Sequence, residues 1–218
     1  MKQTPSCRLH ILLAREAPVG LILRRGPSAW FHLIKWNTAK DTFEHGAWFK
    51  GRIYEDKCDL SPDGSLFVYF ASKFKIPTDR THYAWTAISR PPWLKALALW
   101  PQDGTYNGGG IFLNDRTVGL DLPRKSLPSD GTDPNGMTLK VQKFPSQSYR
   151  PAKPAVPTRT PPNADWVGVD QKNRFVFSRR GKLFTGAVED GELQETKLAD
   201  FNGLKPEPRE APAWAKRW

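Results

Sequence analysis

Four histidines, His10, His32, His45 and His82, are the residues of this chain best suited to acid–base or metal chemistry. None recurs at the short interval that lets two side chains of one element ligate the same ion. A nucleophile, base and orienting group could still converge in space, because such triads are defined by geometry, but no Gly-x-Ser-x-Gly elbow supports one. Carboxylates Glu55, Asp56 and Asp59 cluster in one stretch and could hold a cation or a partner's arginine. Arg52 and Lys57 lie among them, so a solvated loop with balanced charge is the favoured reading. Gly108-Gly109-Gly110 invites comparison with a phosphate cradle. It lacks the spacing of a nucleotide-binding loop, and the Ile111-Phe112-Leu113 that follows reads as strand, so a hairpin turn or bulge is expected. No catalytic, metal or cofactor-binding residue is assigned, and the chain is expected not to be an enzyme.

Basic residues beside aromatics carry more weight. Arg24 and Arg25, Arg90 with Trp93, and Arg179, Arg180 and Lys182 all fall at or next to expected turns. If those turns gather on one face, the residues form an aromatic-lined basic patch. Arginine forks suit phosphates and carboxylates, and exposed aromatics can stack bases. The competing role is structural, with the aromatics in the core and the arginines solubilising its rim. The whole chain carries 33 Lys and Arg against 22 Asp and Glu, a formal charge of +11, which favours acidic partners. The first expectation is a protein-interaction scaffold that binds a partner, acidic by charge complementarity, through loops on one face. Nucleic acid or another polyanion is the alternative, and a hydrolase with a site in a central channel comes last.

The elements that must position these residues read as short strands. Twenty Pro and seventeen Gly in 218 residues imply many turns and few long helices. Apolar or alternating runs appear at Leu9 to Ala14, Val19 to Arg25, Trp30 to Asn37 and Thr42 to Phe49. Further runs follow at Leu66 to Ser72, His82 to Ser89, Ile111 to Asp115 and Thr117 to Asp121. The His82 to Ser89 run alternates as a half-buried strand would. Leu94 to Trp100 mixes helix formers between Pro92 and Pro101. Seven residues are too few for a stable helix, so a strand is expected there, with one helical turn as the alternative. Met137 to Phe144 is a further strand. Trp166 to Phe201 reads as four strands in about forty residues, the size of one propeller blade.

The turn Ser61-Pro62-Asp63-Gly64, leading into Leu66-Phe67-Val68-Tyr69, resembles the WD40-like repeats of TolB-type β-propellers. In those repeats a Ser-Pro-Asp-Gly turn precedes a strand, and the aspartate bonds to nearby backbone; Asp63 and Gly64 match the corresponding positions. The resemblance implies an all-β, antiparallel, propeller-like fold of about five short or irregular blades, with a β-sandwich as the rival. One domain is expected over residues 8–205, with a Pro-rich basic connector at 145–162 and a tail at 206–218 whose Trp214 and Trp218 dock or fray. Cys7 and Cys58 cannot make a disulfide framework; two buried thiols in a reducing compartment are expected, with a single bridge as the alternative if the two meet in space. No apolar stretch approaches the length of a membrane span, and the expected location is the cytoplasm.

Overall fold

A computed structural model describes residues 6–26, 29–73, 83–122, 139–143, 161–189 and 192–218. The expected connector at 145–162 lies almost wholly outside the described residues, as does His82. Within them the protein is all-β, with sixteen strands in four sheets, none closed into a barrel.

The first sheet is an antiparallel meander of β1 (Arg8–Leu13), β2 (Val19–Arg25), β3 (Trp30–Asn37) and β4 (Thr42–Lys50). In the second, β5 (Arg52–Ile53) and β6 (Asp59–Leu60) both pair with β7 (Phe67–Ser72), followed by β8 (Ala84–Ser89) and β9 (Ala96–Gln102). The third joins β10 (Gly110–Asn114) and β11 (Thr117–Leu120) antiparallel, then β12 (Lys140–Lys143) parallel to β11. The fourth is another antiparallel meander, β13 (Trp166–Val169), β14 (Phe175–Arg179), β15 (Lys182–Glu189) and β16 (Glu192–Asp200). The length suggests about five blades; the described residues form four sheets. The ambiguous run before Pro101 is strand β9, and it continues through that proline to Gln102. Among the described residues β9 pairs only with β8, so Pro101 sits on an edge strand, where a missing N–H costs no ladder bond.

Alternation along the strands decides how the sheets stack. Leu21, Leu23, Phe31 and Leu33 of the first sheet share a core with Phe67, Tyr69, Ala71 and Ala87 of the second. The intervening Ile22, Ile34 and Trp36 face the other way, into a core with Val176 and Leu183 of the fourth sheet. Val68, Ile88, Ala98 and Trp100 likewise leave the opposite face of the second sheet to pack on Phe112, Val118 and Val141 of the third. The order through the stack is therefore fourth, first, second, third. The central strands β2, β3 and β7 of the middle two sheets are buried on both faces, which is why they read as near-continuous apolar runs, whereas the edge strands β4 and β9 keep exposed positions. Strand β8 is accordingly buried at every position but Trp85, not half-buried as its alternation suggests.

Polar turns lock the sheets together at their margins. In the Ser61–Gly64 turn the Ser61 hydroxyl donates to Asp63 Oδ1 (2.6 Å), which also accepts the Ser65 N–H (2.8 Å). Burial opposes ionisation of Asp63, but these hydrogen bonds outweigh it and its pKa is lowered. The turn also reaches outward: Glu16 N–H donates to the Pro62 carbonyl and Asp63 N–H to Asp115 Oδ1, tying in the first and third sheets. The turn before β14 does the same between the fourth and first sheets. There the Arg174 guanidinium pairs with Asp170 and with Asp41 (both 2.7 Å) and donates to the Thr38 carbonyl (3.0 Å).

The C-terminal segment is a strap over this stack. Phe201 enters the core between the first and fourth sheets, Arg209 donates to the His45 carbonyl, and the Arg217 carbonyl accepts from Arg90 Nε (3.0 Å). Trp218 packs on the core between the second and third sheets, whereas Trp214 is exposed. Of the two tryptophans expected to dock or fray, the terminal one is the one that docks.

Candidate anion-binding groove

Strand alternation also sorts the arginines. Arg24 and Arg25 are consecutive on β2, so they point to opposite faces of the first sheet. Arg24 faces the fourth-sheet side and is 1% exposed. Its Nε donates to the Phe201 carbonyl (2.7 Å), its Nη2 to those of Asn202 (3.2 Å) and Leu204 (3.3 Å), and its Nη1 to that of Gly26. The guanidinium lies over the Trp48 ring, 5.4 Å from its centroid. Its donors are thus occupied in holding the start of the C-terminal strap.

Arg25 faces the other way and lines a groove of about 190 Å³ with Arg8, Leu9, His10, Leu23, Arg52, Glu55 and Asp165. Arg8 is its direct cross-strand neighbour in the β1–β2 ladder. Arg25 lies over the Phe31 ring at 5.9 Å and Arg52 over Tyr54 at 5.5 Å. Arg52 is also paired to Glu55 at 3.3 Å, and Asp165 Oδ2 accepts the Arg180 N–H. Among the described residues neither Arg8 nor Arg25 makes an ion pair with an acid. Two guanidiniums with unclaimed N–H forks in one concave site can take up a carboxylate or a phosphoryl group.

The other expected binding residues are spread over several environments. Arg180 is exposed, with a φ of 50° in the tight β14–β15 turn, and its carbonyl accepts from Asn202 Nδ2. Because the Asn202 carbonyl in turn accepts from Arg24, this residue brings the Arg24 and Arg180 turns together. Arg179 lies against Phe177 and Phe184 and makes two hydrogen bonds to Glu195 (2.6 and 3.1 Å). Lys182 is 3.7 Å from Asp200. Trp93 is buried, with its indole N–H unpartnered, and Arg90 holds the C-terminal strap. Arg8 does not stand out in the sequence, His10 does so only for acid–base or metal chemistry, and Arg52 only as a charge balancing the acidic cluster. The signal that could have found them is the hairpin register, since pairing β1 with β2 sets Arg8 opposite Arg25.

The features read for catalysis also have definite places. Gly108 and Gly109 have φ of 120° and 84°, and a Cβ on Gly109 would lie 2.1 Å from the Lys57 carbonyl oxygen. The triple glycine therefore serves a close backbone approach beside β10. Within the acidic cluster, Glu55 pairs with Arg52, while Asp59 accepts the Phe112 N–H (2.8 Å) and faces Arg15 (3.4 Å). Burial raises the Asp59 pKa against those contacts. His32 and His45 do meet, joined by a 3.0 Å hydrogen bond between His32 Nε2 and His45 Nδ1, with His32 Nδ1 on the Ala47 carbonyl (3.2 Å). His32 is stacked on Trp48 with ring centroids 4.2 Å apart. Among the described residues no group of three or more His, Cys, Asp or Glu is placed to hold a metal ion.

Fold and groove together define an all-β protein of four packed sheets with an arginine-lined concavity at the margin of the first. Comparison with protein-family models, characterised proteins and solved structures gives no match to this chain. No helix among the described residues is long and apolar enough to cross a membrane.

Proposed function

We infer that the chain is a non-enzymatic interaction scaffold that binds an acidic protein partner through the loop face containing the Arg8–Arg25–Arg52 groove. The observation that carries this reading is that Arg8 and Arg25 share a concave site and neither is ion-paired to an acid among the described residues, while Arg24, Arg174 and Arg179 are engaged by carboxylates or backbone carbonyls. The two four-stranded meanders at either end of the described chain, and the stacking of all four sheets through shared cores, support reading the sheets as irregular blades of a propeller-like body. Such a body presents its loops on two faces. The free thiols of Cys7 and Cys58 fit a cytoplasmic setting.

The test is capture from a native-host lysate at low and high salt, with and without nuclease, comparing wild type with Arg8→Gln and Arg25→Gln. A nuclease-resistant protein partner captured at low salt, and lost in both variants, is the expected result. Capture unchanged by the substitutions, or abolished by nuclease, overturns the reading; the second outcome points to nucleic acid.

A further inference from the structure

The β1–β2 ladder carries an arrangement that a sheet alone does not favour. Arg8 and Arg25 are directly opposed, and both line the same cavity, so their side chains leave the same face. Directly opposed residues on one face have Cβ atoms about 5 Å apart, and like charges at that spacing destabilise the pair. Arg174 and Arg179 are neutralised locally, the first by Asp41 and Asp170 and the second by Glu195. Here Glu55 is paired with Arg52, and Asp165, which accepts the Arg180 N–H, keeps its charge on the groove wall without pairing with either arginine, so the Arg8–Arg25 repulsion is offset only in part.

We propose that the groove is a binding site for one phosphoryl group, held between the guanidinium forks of Arg8 and Arg25 with Arg52 behind them, and carried on a phosphorylated side chain of the protein partner. This rests on the reading of the chain as a scaffold for an acidic partner. A dianion with three acceptor oxygens relieves the cross-strand repulsion and takes bidentate contacts from both arginines, which a single carboxylate oxygen pair cannot do at once. At about 190 Å³ the site is smaller than the roughly 300 Å³ at which ordinary small-molecule sites begin. It therefore suits one charged group rather than a whole cofactor. The convergence of the arginines on one cavity also contrasts with the extended track of cations that a nucleic-acid backbone needs. Glu55 and Asp165 on the wall can accept N–H groups from the peptide that brings the phosphoryl group.

The full chain would be titrated in low-salt buffer with inorganic phosphate, a hexapeptide containing phosphoserine, the same peptide with serine, and an oligothymidylate of matched charge. Phosphate should raise Tm where equal ionic strength of chloride does not, and the phosphopeptide should bind at least about tenfold tighter than its serine counterpart, the least that two forked contacts imply. Arg25→Gln should abolish both effects and, without anion, raise Tm by about 1–3 °C because the opposed charges are gone. Arg25→Lys keeps the charge but loses the fork, so it should bind phosphate weakly and show no gain in Tm. Equal binding of the two peptides, tighter binding of the oligothymidylate, or an Arg25→Gln protein that is less stable without anion and still binds phosphate each overturns the assignment. Partner capture that still depends on Arg25 when phosphate and phosphopeptide do not bind would sink this assignment alone and leave the scaffold reading intact.

Discussion

Acidifying the protein from pH 7 to pH 5 should destabilise it through His32. This side chain is 1% exposed, its Nδ1–H donates to the Ala47 carbonyl, and its Nε2 accepts from His45. A second proton on the ring would turn that acceptor into a donor facing His45, next to Arg24 and Arg209. Burial, then the nearby positive groups, lower its pKa from 6.5 to about 4. The unfolded chain therefore takes up the proton first as pH falls, so stability is complete above about 6.5, declines below it and levels off only below about pH 4. That interval corresponds to about 3 kcal/mol in all, of which about 2 kcal/mol is lost by pH 5. Burial and Arg209 also lower the pKa of His45, which adds loss of the same sign. Urea unfolding at pH 7 and pH 5 measures the difference, with unchanged m-values as the check that the states compared are the same. An NMR titration of the His32 ring gives its midpoint directly. A midpoint above 6, or equal stability at the two pH values, would refute the reasoning; His32→Gln should flatten the dependence.

Two other perturbations test how the sheets are joined. Gly64→Ala places a Cβ 2.7 Å from that of Val19 at a residue with φ of +71°, so it should cost about 2–4 kcal/mol in urea unfolding, and a loss below 1 kcal/mol would show that the turn can shift. Arg174→Gln leaves Asp170, whose side chain is fully buried, without its cation; the guanidinium is partly exposed, so the expected loss is about 2 kcal/mol, read as a fall in Tm of about 4–8 °C.

Much of the fold could be read from the chain because its strands are short and punctuated. Trp30–Asn37 is bounded by a turn on each side and comes out as β3 with those limits. The turn at Ser61 is legible for a local reason: Asp63 accepts from the Ser61 hydroxyl and the Ser65 N–H, so the chemistry lies within five consecutive residues. What escaped was everything that depends on two segments meeting. The parallel pairing of β12 with β11 has no local signature, because a parallel neighbour is set by the path of the chain between them. The sequence leaves Trp93 open to two roles, a surface aromatic beside an arginine or a core side chain; it is buried, and Arg90 nearby serves the C-terminal residues. The apolar run of β7 and the alternation of β8 both indicate strands, but neither discloses that both faces are covered.

The pair Arg24 and Arg25 shows why composition near a turn is a poor guide to which charges are available to a partner. The two residues have the same side chain, precede the same glycine and differ by one step along a strand. That step turns Arg24 toward the segment after β16, where its donors are consumed by backbone carbonyls and Trp48 covers its face. It turns Arg25 toward Arg8, where the nearest element on the same face brings another cation. Burying a guanidinium among carbonyls costs desolvation that the fold recovers as hydrogen bonds. Placing two guanidiniums opposite each other costs repulsion, which the acids on the groove wall offset without pairing with either arginine. The donors of the first arginine are used by the protein itself, whereas the second lies over Phe31 with its fork open to the anion proposed above.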